Sequence, residues 1–191
     1  MGTVVNGDNG LKKLISDYRR ESRSYPIRWW IVTAIEVVIY IFTGMFKNDD
    51  FRRVLAIAFT AAFVVMSVYV TLDVLIIAPL GIKKRIKAIP GGKAVPEQYE
   101  KAVMLGRRRF LEEYLVYFYN MRMFLVEYSE IKSAELKGFK LLLDTGGKKP
   151  LKMPFEAQEN PAILVAALRS RNPKISVILG GKVVEKMENN K

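Results

Sequence analysis

The side chains that most often carry chemistry are missing from these 191 residues: the chain holds no His and no Cys. That excludes a thiolate nucleophile, a disulfide, a thiolate or imidazole metal site and an imidazole base. Acid–base work would fall to carboxylates, Lys or Tyr. The carboxylate pairs Asp49-Asp50 and Glu112-Glu113 are adjacent in sequence, a spacing that strands and loops splay apart, and they read as solvated turns. Gly91-Gly92, Gly146-Gly147 and Gly180-Gly181 lack the frame of a phosphate-binding loop. The expectation is a chain that is not an enzyme, with no cofactor and no metal. Three other groups of residues remain. Thr33, Glu36, Tyr40 and Thr43 recur at three- and four-residue steps, which puts them on one helix face; Ser67 and Thr71, with Thr60, share a face further on. Arg28 and Asp73 are predicted to meet as an ion pair. Lys83, Lys84, Arg85 and Lys87, with Arg107, Arg108, Arg109, Lys148, Lys149 and Lys152, offer cationic surfaces for a lipid headgroup or an acidic partner.

The seam must be held by two apolar runs, Ile27 to Phe46 and Val54 to Leu80. Roughly 20 helical residues cross a hydrocarbon core of about 30 Å. The first run meets that length and carries Arg28 and Glu36 as its charges; the second exceeds it and carries Asp73. Two buried helices of a soluble bundle are the alternative, but such helices keep a polar face, and these runs are apolar nearly all round. Antiparallel pairing sets Glu36 opposite Phe63 to Met66, and Asp73 level with Arg28. A carboxylate at mid-depth costs about 3 kcal/mol unless protonated or paired. Glu36 is therefore a neutral group bonding to Tyr40, Thr33 or a hydroxyl of the second span, a contact for a partner, or an ion site.

Lys and Arg outnumber Asp and Glu 31 to 19, a net charge of +12. Such a balance suits nucleic acid or anionic lipid; once two spans are granted, lipid is the simpler partner, and no nucleic acid is expected. Lys12, Lys13, Arg19, Arg20, Arg23 and Arg28 precede the first span, and Lys83, Lys84, Arg85, Lys87 and Lys93 follow the second. Lys47, Arg52 and Arg53 occupy the connection. The bias predicts a multi-pass protein of the cell membrane with both termini cytoplasmic. Leu11, Leu14, Ile15 and Tyr18 fall at helical spacing, predicting an amphipathic helix on the headgroups or on the soluble domain, capped by Asp8 or Asn9. Trp29 and Trp30 suit an interfacial belt.

Beyond the hairpin the pattern changes. Pro96 starts a short helix that should run to about Leu105, with Gly106 as its stop. Arg108 to Leu111, Leu115 to Tyr119, Met123 to Tyr128, Ile131 to Leu136, Phe139 to Leu143 and Leu151 to Phe155 read as strands. The stretch Phe110 to Tyr128 also fits a helical period. Glu112-Glu113, Asn120-Met121 and Asp144-Thr145-Gly146-Gly147 read as turns. Asn160-Pro161 opens a helix to Arg171 whose inner stripe is Ile163, Leu164, Ala167 and Leu168. Ile175 to Leu179 is a further strand candidate.

The segments Tyr128-Ser129-Glu130-Ile131-Lys132-Ser133-Ala134-Glu135, Phe139 to Leu143, Leu151 to Phe155 and the Asn160 to Pro173 helix together resemble a bacterial or archaeal membrane-anchored pleckstrin-homology-like (PH-like) domain protein. The resemblance covers roughly residues 107–175 and the two preceding spans. It implies a small curved sheet capped by a C-terminal helix, and no catalytic residue. The expected fold is thus a membrane α-helical hairpin of two transmembrane helices plus an α+β cytoplasmic domain, a PH-like antiparallel β roll with a C-terminal helix. Its parts are an amphipathic segment 1–26, the hairpin 27–80, a basic linker with a short helix 81–106, the PH-like domain 107–175 and a tail 176–191. The expected function is non-catalytic binding of protein or of the anionic inner leaflet. The alternatives are an accessory subunit of a larger membrane complex docking through the Glu36 seam, and a homo-oligomeric ion or proton pathway.

Overall fold

The structure, a computed structural model, describes residues 6–44, 50–155, 159–179 and 182–183. The chain divides into two compact units, one made of Lys12–Gly92 and the other of the residues up to Leu11 together with those from Lys93 on.

In the Lys12–Gly92 unit, helix α1 (Asn6–Ser22) ends at Arg23 and α2 (Ser24–Gly44) begins at once. Pro26 sits in the first turn of α2, where its missing N–H costs nothing. α3 (Asp50–Leu72) runs into a π-helical segment (Asp73–Ile77) and on into α4 (Ala78–Ala88) with α-helical backbone at both junctions. The second apolar run is therefore one helix that carries the basic cluster on its last turns. α2 and α3 pack antiparallel, with the Trp29 and Phe63 rings 6.3 Å apart. Most of their outer surface is bare: Ile31, Val38, Val54, Val65 and Ile57 are each at least half exposed. Both helices are long and apolar enough to cross a membrane.

α1 begins at Asn6, so Asp8 and Asn9 lie inside its first turns and do not cap it as predicted. Its stripe is as spaced: Leu14, Ile15 and Tyr18 are buried while Lys12, Lys13 and Arg20 face out. This stripe is covered by protein and does not lie open toward headgroups.

The other unit opens with α5 (Val95–Lys101), which ends four residues earlier than predicted. Val103–Leu105 is not helical; it is strand β1, and Gly106, at φ +57°, turns it back into β2 (Arg108–Phe110). A glycine in the left-handed region opens a tight hairpin as readily as it stops a helix. β3 (Tyr114–Tyr119) and β4 (Arg122–Glu127) complete a four-stranded antiparallel sheet in sequence order. Asn120 and Met121 both take positive φ in the tight turn between β3 and β4. Phe110 to Tyr128 is thus strand and turn, not helix. The second sheet has the order β7-β6-β5-β8-β9, built from β5 (Ser133–Lys137), β6 (Lys140–Asp144), β7 (Leu151–Pro154), β8 (Ser176–Leu179) and β9 (Lys182–Val183). β8 lies parallel to β5, a departure from the all-antiparallel roll expected. It gets there by the crossover through α6 (Pro161–Arg171).

α6 starts as the sequence predicts, with the Asn160 side chain accepting from Ala162 N at 2.9 Å and Pro161 in the first turn. Its buried stripe is narrower than predicted. Leu164 and Leu168 enter the core with Phe110, Leu115, Tyr117, Leu141 and Leu143, but Ile163 is 55 % exposed. At the far end Asn172 donates from Nδ2 to Tyr128 O at 2.6 Å and Ile131 O at 3.2 Å. This bond ties the Tyr-Ser-Glu-Ile turn to the closing helix.

Candidate functional site

The polar seam forms in its lower half. Thr33 and Ser67 hydroxyls lie 2.7 Å apart, and Thr33 also donates to Trp29 O within its own helix. One turn further along α3, Thr71 accepts from Trp30 Nε1 at 3.1 Å. The spacing of Thr33, Ser67 and Thr71 did place them on facing stripes; the indole of Trp30 joins them. In the upper half, no hydrogen bond or ion pair reaches Glu36 or Tyr40 among the described residues, and the Thr60 hydroxyl is buried without a partner. The Thr43 side chain lies outside the described residues. The predicted bonding of Glu36 to Tyr40, Thr33 or a second-helix hydroxyl is therefore not made.

The Arg28–Asp73 ion pair is also not made among the described residues. The level is right and the facing is wrong. Trp30 turns toward Thr71, and residues two apart on a helix point about 200° apart, so Arg28 is exposed on the outer side. Asp73 instead adds its negative charge to the surroundings of Tyr18 on α1. Burial pushes that tyrosine above its usual range, a bond with Ser22 opposes the shift, and Asp73 reinforces it.

Beside Asp73 the π segment has a local cause. Pro79 lacks the N–H that would bond the carbonyl four residues back, at Leu75. Ala78 N reaches back five residues to Asp73 O, and the Leu75 carbonyl, which Pro79 cannot serve, accepts from Arg19 Nη2 at 2.8 Å. A guanidinium from α1 thus replaces a missing backbone donor.

The predicted cationic residues are divided between the two units. Lys83, Lys84, Arg85 and Lys87 are exposed on α4, with Ile82 and Ile86 buried on its other face. In the other unit, Arg107 is exposed at the tip of the β1–β2 hairpin, while Lys148, Lys149 and Lys152 are exposed in and beside the β6–β7 connection of the second sheet. Arg109 lies with its guanidinium 4.6 Å from the centre of the Tyr99 ring. Arg108 is a correction. It is 4 % exposed, Nη1 donates to Glu159 Oε2 at 2.8 Å and Nη2 donates to Pro154 O. Period-two alternation puts Arg108 on the inner face with Phe110, the signal that separates it from its two neighbours. Its cross-strand partner Tyr117 stacks on Phe124, and its hydroxyl is buried without a partner. Burial drives that hydroxyl far above the usual tyrosine range, against a smaller opposing pull from Arg108.

No group of three or more acidic side chains able to hold a metal ion occurs among the described residues. No protein family, curated protein or solved structure matches the chain.

Proposed function

We propose that this chain is a non-catalytic integral membrane protein. α2 and the α3–α4 helix form the transmembrane hairpin, both termini are cytoplasmic, and the unit from Lys93 on is a PH-like domain that binds protein or the anionic inner leaflet. The observation that carries this reading is the bare apolar surface of α2 and α3, from Val64 at 38 % to Phe51 at 74 % exposure. Surface of that extent has no place in water, and lipid needs no polar face on a helix. The PH-like reading is supported by the succession of four antiparallel strands, three more antiparallel strands and one helix. The exposed cations of α4 suit a juxtamembrane contact worth about 1 kcal/mol per charge near anionic lipid. Alkaline extraction of membranes tests the anchoring: the chain stays in the pellet at pH 11, and its appearance in the supernatant overturns the reading. Salt-dependent proximity labelling between α4 and phosphatidylserine tests the lipid arm.

A second reading, docking to another membrane protein, is favoured by Glu36 and Tyr40 having no hydrogen-bond partner among the described residues. A neighbouring helix with a donor at mid-depth would satisfy both. Glu36→Gln keeps the hydrogen bonding and Glu36→Leu abolishes it. Docking requires that a co-purifying subunit survive the first and be lost with the second. Ion handling, by contrast, is lost with both.

A further inference from the structure

β1 and α6 border two clefts, one at each end of the strand. Val103, at the start of β1, and Arg171, at the end of α6, line one cleft; Leu105, at the end of β1, and Pro161, at the start of α6, line another. Strand and helix therefore run side by side in opposite directions.

The strand side is an open edge. Among the described residues β1 pairs with β2 alone. The two-residue turn at Gly106-Arg107 makes Leu105 and Arg108 a hydrogen-bonded pair, so Met104 and Arg109 are a non-hydrogen-bonded pair and the Met104 backbone N–H and C=O point outward. Val103, Met104 and Ile163 are apolar and each more than half exposed.

The cleft at the Leu105 end has apolar walls from Leu105, Phe155, Pro161, Ile163 and Leu164, and Arg108 and Glu159 among them. Arg108 is almost wholly buried, and its Nε has no partner among the described residues. Glu159 already shows which chemistry fits: its carboxylate bonds Nη1. A Cβ at residue 106 would lie 1.6 Å from Glu159 Oε1, so any side chain there would force the carboxylate from its present position. The N-terminal end of α6 lies at the same cleft and favours negative charge there.

We propose that the β1 edge beside α6 receives an extended peptide segment of a protein partner, added as a strand parallel to β1, with its C-terminal carboxylate in the cleft at Arg108. Parallel addition brings a C-terminus to the Gly106 end of β1. Edge pairing supplies affinity, and the cation selects a chain end. Glu159 is the tethered competitor that the incoming carboxylate displaces. The inference rests on reading this unit as a protein-binding module, but not on its anchoring, which extraction tests separately.

The test is fluorescence anisotropy on the full-length protein in phosphatidylcholine nanodiscs. The probe is a fluorescein-labelled hexapeptide pool with Val, Leu, Ile or Phe at the last four positions, made as free acid and as carboxamide. The acid pool should bind at least tenfold tighter than the amide. Glu159→Gln, which weakens the competitor, should tighten acid binding about fivefold or more, and Met104→Pro, which removes the outward N–H, should abolish it. Glu159→Asp keeps the charge but shortens its reach, and must shift binding in the same direction if the Gln variant melts early. Equal affinity for acid and amide overturns the proposal, as does no binding to wild type and both Glu159 variants.

Discussion

At the scale of single residues, Tyr117 is the most informative side chain. Its ring is stacked 4.8 Å from Phe124 and its hydroxyl is buried with nothing to bond. An unmade hydrogen bond of this kind costs about 1–3 kcal/mol. Tyr117→Phe keeps the ring, removes the orphan oxygen, and is expected to leave stability unchanged or raise it by about 1 kcal/mol. The pH dependence has a definite sign. Burial raises the Tyr117 pKa above its unfolded value of about 10. Below that pH both states hold the proton and the group has no effect. Above it the unfolded chain releases its proton first, so stability falls as pH rises, by up to about 1.4 kcal/mol per unit for each such tyrosine. Tyr128 is raised in the same way, so the wild type falls along both. Tyr18 and Tyr114 are raised too, so Tyr117→Phe should lower, without abolishing, the alkaline slope of thermal unfolding between pH 10 and 12. An unchanged slope would show that the Tyr117 hydroxyl reaches solvent.

At the scale of elements, the contact of α1 with the π segment is open to a direct test. Arg19 donates to a carbonyl that Pro79, having no N–H, cannot serve. Arg19→Ala should weaken α1 docking by about 1 kcal/mol, the worth of one charge-assisted bond at a partly wet site. Pro79→Ala restores the backbone donor, so Arg19→Ala should cost markedly less in that background. Hydrogen exchange of the α1 amides reads both effects, and strict additivity would dismiss the replacement. This pairing was not legible in the sequence, since the two residues lie sixty apart and neither carries a local sign of the other. Period was legible: the stripe Leu14, Ile15, Tyr18, the seam Thr33, Ser67, Thr71, and most strands follow from spacing alone. Short apolar runs were not, because Val103-Met104-Leu105 fits a helix end or an edge strand equally well, and Gly106 serves either. Triplets of like charge also mislead. Arg107, Arg108 and Arg109 look like one cationic patch, yet strand alternation sends the middle one inward to Glu159. Glu159 itself has no local signature, since what makes it matter is a glycine and an arginine some fifty residues upstream.

At the scale of the whole molecule, the distribution of charge makes a claim about direction that the absence of cysteine renders easy to check. Exposed cations crowd the first turns before α2 and the last turns of α4, whereas the far end of the hairpin pairs Arg53 with Asp50, whose side chain is 97 % exposed. A bilayer orients such a chain by retaining Lys and Arg on the cytoplasmic side. With no native thiol, a single introduced cysteine reads topology without background. Asp50→Cys should react with a membrane-impermeant maleimide on intact cells, and Ser170→Cys only after permeabilisation. Neutralising Lys83, Lys84, Arg85 and Lys87 to Gln removes most of the bias at one end while leaving Lys12, Lys13, Arg20, Arg23 and Arg28 at the other. The result should be a detectable fraction of chains, on the order of a tenth, with Ser170→Cys labelled from outside. The mixed population is expected because the cost of translocating a terminus falls with each charge removed, whereas the apolar helices have no preferred direction. Labelling of Ser170→Cys on intact cells in the otherwise native chain would reverse the orientation, and with it the leaflet that the cations of α4 face.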